Sequence, residues 1–262
     1  MMELDLYQID AFAEKVFEGN PAAVCPLDEW LPADVMQKIA RENNLSETAF
    51  FVSTKHGFKI RWFTPESEVD LCGHATLASA WVLFNMMGYQ KERIDFESRS
   101  GNLTVAREGV QLVMDFPAQP PEPCNPPADM EKAFGRQPLE CLEAADYLFV
   151  FESRAAVESI KPDVLELMNL DRRGVIITAE AADYDFVARF FAPKLGVYED
   201  PVTGSAYTQL APYWADRLGK KRLRARQVSF RGGNVTCEVA GDRVFITGTA
   251  IKYMEGKIKL TL

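Results

Sequence analysis

Two short stretches of the 262-residue chain carry groups that could do chemistry. In Asp70-Leu71-Cys72-Gly73-His74-Ala75 a thiol and an imidazole stand two residues apart, just where an apolar helix must begin. In Glu199-Asp200-Pro201-Val202-Thr203-Gly204-Ser205-Ala206 two carboxylates and two hydroxyls stand at the start of a second helix. The first turn of a helix leaves N–H groups without intrahelical acceptors and carries the positive end of the dipole, so it attracts anions. Starts at Gly73 and Gly204 would together cradle a carboxylate, with His74 and Ser205 beside it. The dipole disfavours an imidazolium, so His74 is expected to be neutral. Each residue also has a plainer role. His74 can bond the acidic loop, Asp200 can cap its helix, and Ser205 can serve the first turn. Cys72 is either activated by the helix terminus or simply a small buried residue.

The helix from Gly73, ending near Gly88, is apolar on nearly every side and must be buried all round. Before it, Leu4–Asp10 reads as a strand, Gly19-Asn20-Pro21 as a corner into a second strand, and Pro32 as the start of a helix with a Val35, Met36, Ile39, Ala40 stripe. Strands are expected over Ala49–Ser53 and Phe58–Phe63, and a meander over Ile94–Phe116. Pro117–Pro127 holds six prolines, which neither helix nor sheet accommodates, so it reads as an extended connector. Beyond it a helix is expected over 162–169 and another from about Ala206 to Leu218. Strands are expected at 175–179, 186–191, 227–230, 234–239, 244–247 and 258–262.

The chain resembles itself across the connector. Phe63-Thr64-Pro65 recurs as Phe191-Ala192-Pro193, Gly73-His74-Ala75 as Gly204-Ser205-Ala206, and Arg99-Ser100-Gly101-Asn102 as Arg231-Gly232-Gly233-Asn234. The offsets, 128, 131 and 132, keep order and spacing. The implied fold is α/β (α+β): two pseudo-symmetric lobes, each a mostly antiparallel sheet or barrel curled around a central helix. The lobes are placed at 1–117 with the final strand (about 253–262), and at 118–252. The two helix starts are expected to face each other across the cleft between lobes, a common place for small molecules. Arg99 and Arg231, placed alike, are read as structural.

A net charge of −9 argues against nucleic acid or an anionic membrane as partner. No apolar run approaches the roughly 20 residues of a membrane span, and no basic-then-apolar leader opens the chain, so a cytoplasmic protein is expected. Five cysteines without C-x-x-C spacing and only two histidines speak for free thiols and no metal site.

Phe17-Glu18-Gly19-Asn20-Pro21-Ala22-Ala23-Val24, Asn44-Leu45-Ser46-Glu47-Thr48-Ala49-Phe50, Asp70–Thr76 and Glu199–Ala206, in this order, resemble the PhzF-like family of phenazine-biosynthesis proteins, which has the diaminopimelate-epimerase-like fold. The resemblance covers essentially the whole chain. It implies a cofactor-independent isomerase, commonly a homodimer, that moves a proton on a small carboxylate-bearing substrate. It implies Glu47 as general acid/base with His74 and Asp200 as catalytic partners. Asn20, Gly73, Gly204 and Ser205 then bind substrate. By its sequence Glu47 lies between a helix and an aromatic-rich strand, where it can also be an ordinary turn carboxylate. Cys72 matches one epimerase thiol, but Pro201-Val202-Thr203-Gly204 offers no opposing cysteine, so a two-thiol mechanism has no support. The alternatives are a Cys72/Thr203-type amino-acid epimerase or dehydratase, and a non-catalytic binding or scaffold protein that keeps the fold.

Overall fold

Alternating apolar and polar residues open the first strand, the second is almost continuously apolar and buried, and glycine sets their corner. In the computed structural model, which describes residues 2–128 and 130–260, β1 (Met2–Ala11) pairs antiparallel with β2 (Asn20–Leu27). Gly19 closes the turn with φ +67°; a Cβ there would lie 2.1 Å from the Ala11 carbonyl oxygen, so no other residue fits. The buried Asp10 carboxylate accepts the Phe17 N–H at 3.0 Å and ties down the loop that delivers Asn20. α1 (Ala33–Asn43) packs Met36, Ile39 and Ala40 against Phe50 and Phe63 and ends at the left-handed Asn44.

β3 (Glu47–Ser53) runs parallel to β2, and β4 (Phe58–Phe63) antiparallel to β3. β5 (Glu68–Val69) folds back on β4. α2 (Gly73–Asn85) follows, with every residue buried except Trp81 and Asn85. Its two hydroxyl residues survive this burial by bonding the preceding turn: Thr76 donates to the Cys72 carbonyl at 2.6 Å and Ser79 to that of Ala75 at 2.7 Å. β6 (Arg93–Ser98) lies parallel to β4, and β7 (Gly101–Glu108) and β8 (Gln111–Pro117) complete an antiparallel meander.

The second half repeats this order. β9 (Glu122–Pro123), α3 (Met130–Phe134) and β10 (Glu140–Glu143) lead into β11 (Tyr147–Val150). α4 (Arg154–Ser159) and α5 (Val164–Asn169) come next, capped by the side chains of Ser153 and Asp163. β12 (Val175–Glu180) is parallel to β11, β13 (Phe186–Ala192) antiparallel to β12, and β14 (Val197–Asp200) folds back on β13. A 3-10 turn, Gly204–Ala206, opens α6 (Tyr207–Leu218). β15 (Arg222–Gln227) is parallel to β13, and β16 (Gly233–Ala240) is antiparallel to β15. After β17 (Arg243–Gly248), β18 (Ala250–Leu260) pairs with β1 along its length. The chain divides into two compact units, Met1–Asp115 with Thr247–Leu262, and Phe116–Ile246.

Strand for strand, β2-β3-β4-β5-α2-β6-β7 and β11-β12-β13-β14-α6-β15-β16 share one topology, including both parallel pairings. Side chains repeat too. Arg61 forks onto Glu68 at 2.6 and 2.8 Å, and Arg189 forks onto Glu199 at 2.7 and 3.0 Å. Each guanidinium also lies over the phenylalanine two residues on, Phe63 at 5.2 Å and Phe191 at 4.9 Å. This is the internal duplication in atomic form. Arg99 completes the first copy, reaching Glu68 at 2.8 Å.

Three expectations need correction. The proline-rich connector is not free of sheet, because Glu122 and Pro123 pair with Glu143 and Leu142. Proline is tolerated at such a short exposed edge. The strand expected at 227–230 is instead Arg222–Gln227, whose buried Leu223 and Ala225 alternate with exposed arginines, while Phe230 is fully exposed in the following loop. The last strand starts at Ala250; Thr261 and Leu262, its expected end, lie outside the described residues. Among the described residues no helix is long and apolar enough to cross a membrane.

Candidate functional site

In the first unit the topology brings four of the expected residues together. Glu47 is the first residue of β3, Asn20 the first of β2, and Cys72 and His74 flank the first residue of α2, Gly73. His74 Nε2 lies 3.1 Å from Glu47 Oε2, and both side chains are largely buried. Neither of these two atoms completes a well-directed hydrogen bond, so the pair interacts by charge and keeps its directional capacity for a ligand. On the other edge of the ring, Nδ1 faces the Asn20 amide nitrogen at 3.2 Å and Cys72 Sγ at 3.5 Å. A neutral ring that accepts from the Asn20 amide carries its proton on Nε2, aimed at Glu47. No side chain caps α2, which leaves its first N–H groups available beside the pair.

The electrostatics reverse one expectation. Burial by itself pushes the His74 pKa down, as does the helix dipole. Cys72 and Glu47 outweigh burial and raise it well above the ordinary imidazole value. Burial and the Glu47 charge push the Cys72 thiol up to about 11, so it is a thiol at neutral pH and the Glu47 carboxylate is the partner that counts for His74. Helix-terminus activation of Cys72 therefore loses to burial.

Glu47, Cys72 and His74 also place one donor atom each within 4.8 Å of the others, a donor set suited to a borderline cation such as zinc. The sulfur faces Nδ1 and the carboxylate faces Nε2, on opposite edges of the ring.

The second unit gathers Asp200, Gly204 and Ser205. Asp200 ends β14 and accepts the Thr203 hydroxyl at 2.5 Å. The buried Gln227 side chain bonds the Thr203 N–H and the Asp200 carbonyl, so the loop leading to Gly204 is fixed from β15. Ser205 Oγ accepts from Arg173 at 3.2 Å. Arg173 in turn forks onto Asp146, at 3.0 and 2.6 Å, and the Gln209 amide donates to the same carboxylate at 3.0 Å. Asp146, Arg173 and Gln209 were not foreseen. Arg173 sits in Asp171-Arg172-Arg173, which reads as a solvated charge run, and Gln209 lies 63 residues from Asp146.

The duplicated mixed α/β fold is an epimerase-like fold. The likeness extends to a hydroxyproline epimerase from Agrobacterium vitis, with a TM-score of 0.60 at 11% identity over 98% of this chain and 92% of that one, which is a likeness of fold. The model of the PhzC-PhzF family, phenazine biosynthesis-like proteins, matches residues 9–256, and the chain belongs to this family. It is 52% identical to an uncharacterized isomerase of Pseudomonas aeruginosa, over 99% of this chain and all of that one. A solved PhzF-family protein of Enterococcus faecalis superposes with a TM-score of 0.97 at 49% identity, covering 99% and 100% of the two chains.

Proposed function

We propose that the protein is a cofactor-independent isomerase that moves a proton on a small carboxylate-bearing molecule. The observation that carries this reading is the Glu47–His74 pair: two buried groups 3.1 Å apart with unused hydrogen-bonding capacity, beside the uncapped start of α2. Glu47 takes the proton from a carbon next to the carboxylate, and His74 steadies the negative charge and exchanges the proton with Glu47. The charge that builds up on the substrate is met by the N–H groups at Gly73 and His74, donors that need no reorganisation. Asn20 holds the ring and contacts substrate. In the second unit, Gly204 and Ser205 are read as anion donors and Asp200 as their polar partner. A homodimer in the cytoplasm completes the reading, checked by light scattering and by cell fractionation.

A Cys72-based epimerase is disfavoured, because a thiol held near 11 is a poor base at neutral pH and its counterpart position holds Thr203. One experiment separates these readings. The protein is incubated in D2O with a panel of 2-amino, 2-hydroxy and unsaturated cyclic carboxylates, and C–H exchange is followed by NMR. Glu47→Gln should lower exchange by about 10²- to 10⁴-fold, the usual range for a general acid/base. Cys72→Ser should stay within a few fold. Loss with Cys72→Ser alone transfers the chemistry to the thiol, and no exchange by the wild type with any member of the panel leaves a binding protein.

A further inference from the structure

The group in the second unit that the sequence did not announce is built more rigidly than a surface arginine requires. Asp146 is completely buried, which is costly for a carboxylate unless every lone pair is used. Its oxygens take two bonds from Arg173 and one from Gln209, and the Gln209 carbonyl oxygen accepts the Asp146 N–H at 3.3 Å. The Arg173 guanidinium also lies over the Phe190 ring at 5.7 Å. Next to it, a Cβ on Gly174 would meet Phe190 at 2.5 Å and Asp146 Oδ1 at 3.0 Å, so glycine is needed for this packing. One edge and one face of the guanidinium are thus occupied. Its Nη2 also donates to Ser205, and its Nη1 makes no protein bond among the described residues, while 40% of the side chain remains exposed.

Arginine can only donate, so in its contact with Arg173 the Ser205 hydroxyl is the acceptor, and its own proton is free to be donated elsewhere. Two donors, Nη1–H and Ser205 O–H, therefore stand together beside the N–H groups of the Gly204 turn. The matched position in the first unit clarifies their use. Phe63 and Phe191 correspond, Thr48 pairs with Phe63, and Val175 with Phe191. Gly174 then corresponds to Glu47, and Ser205 to His74. One copy presents a proton carrier at the start of its central helix; the other presents an anchored cation.

We infer that Arg173, with Ser205, forms a carboxylate-binding site of the second unit. Asp146, with Asp200 adding to it, balances the arginine's charge, so recognition comes from oriented donors, which favours a planar two-oxygen acceptor over a diffuse anion. Preorganisation by Asp146, Gln209 and Phe190 spares the ordering cost of a free arginine. Arg173 is a binding residue, and it carries no proton in the reaction.

The test uses the full-length protein with benzoate, oxalate and pyrrole-2-carboxylate as probes and benzamide as uncharged control, followed by ligand-observed NMR. The wild type should bind at least one carboxylate more tightly than benzamide. Arg173→Met should weaken that probe about 10- to 100-fold, the range for a hydrogen bond to a charged group. Ser205→Ala should weaken it a few fold, and both variants should leave benzamide unchanged. Because Arg173→Met leaves Asp146 unpaired, Arg173→Lys is the control for folding; it keeps the charge, loses the fork, and should fall between wild type and Arg173→Met. Glu47→Gln should bind the probe like wild type, so a failed proton-exchange test does not touch this one. Equal probe affinity in all variants, or a wild type that prefers no carboxylate to benzamide, overturns the inference.

Discussion

Glu47 opens β3 in the first unit, and Gly174 stands just before β12 at the matched place in the second. His74 corresponds to Ser205, Cys72 to Thr203, and Val69 to Asp200, the last pair fixed by their partners Trp62 and Phe190. One topology has therefore been filled in two ways. The first copy holds a titrating pair with loose, unsatisfied geometry. The second holds an ion pair and an amide in which both oxygens of the buried Asp146 carboxylate are engaged, although the buried Tyr207 hydroxyl at the start of α6 has no partner among the described residues. The Glu47–His74 pair is left short of directed partners, while the Asp146–Arg173 pair is saturated with them.

The largest test of this contrast is on stability. Asp146→Ala removes the carboxylate that balances Arg173 and takes one partner from Gln209. Breaking a buried pair from one side costs about 3–5 kcal/mol, and the partly exposed Arg173 can rehydrate, so about 3 kcal/mol is expected. At a pH above the folded His74 value, where the linked proton no longer contributes, Glu47→Gln should cost less than about 1 kcal/mol, because the carboxylate it replaces makes no well-directed bond to His74. Urea unfolding of both variants decides the matter. Equal costs would erase the distinction between a working pair and a holding pair.

A finer comparison uses the duplicated forks. Arg61 and Arg189 hold equivalent glutamates, but Arg189 also donates to the carbonyls of Val157 and Ile160 at 3.0 and 2.7 Å, tying down the end of α4. Arg61 instead lies over Trp30 at 5.4 Å. Arg189→Met strands two carbonyls that Arg61→Met does not, so it should be the more destabilising by about 2 kcal/mol in the same assay. A difference near zero would mean that water replaces the arginine at α4.

The repeat was readable because the residues that set backbone geometry recur in register: Phe63 with Phe191, and Gly73 with Gly204. The helix from Gly73 was readable because nothing in it is suited to solvent. Cys72 and His74 were visible at its start, yet their protonation was not, since the sequence shows the helix dipole but not the Glu47 carboxylate 27 residues away. β15 was missed because Arg222, Arg224 and Arg226 hide two buried residues. α4 is only six residues long and is held by the Ser153 cap and by Arg189, both too local or too distant for periodicity to show. The Asp146–Arg173–Gln209 group is purely a product of topology, joining a strand start, a loop and a helix.

The smallest effect concerns the proton that only the first unit can hold. The chain has two histidines, His56 and His74, so the ring signals in an NMR titration are few and His56→Gln assigns them. His74 should remain protonated above the ordinary value near 6.5. Glu47→Gln should bring it down, because burial then acts with little opposition. The linked stability follows in sign. The folded pKa lies above the unfolded one, so the folded state binds the extra proton between them. Its contribution is complete below about pH 6.5 and is lost as pH rises through the folded value, with a slope of at most about 1.4 kcal/mol per pH unit for one proton. Wild type should therefore lose stability relative to Glu47→Gln across that window, and Ser205 adds no such slope from the second unit. A His74 signal that titrates below 6.5 in the wild type would mean that burial outweighs Glu47, leaving a neutral ring that can only share its Nε2 proton with the carboxylate.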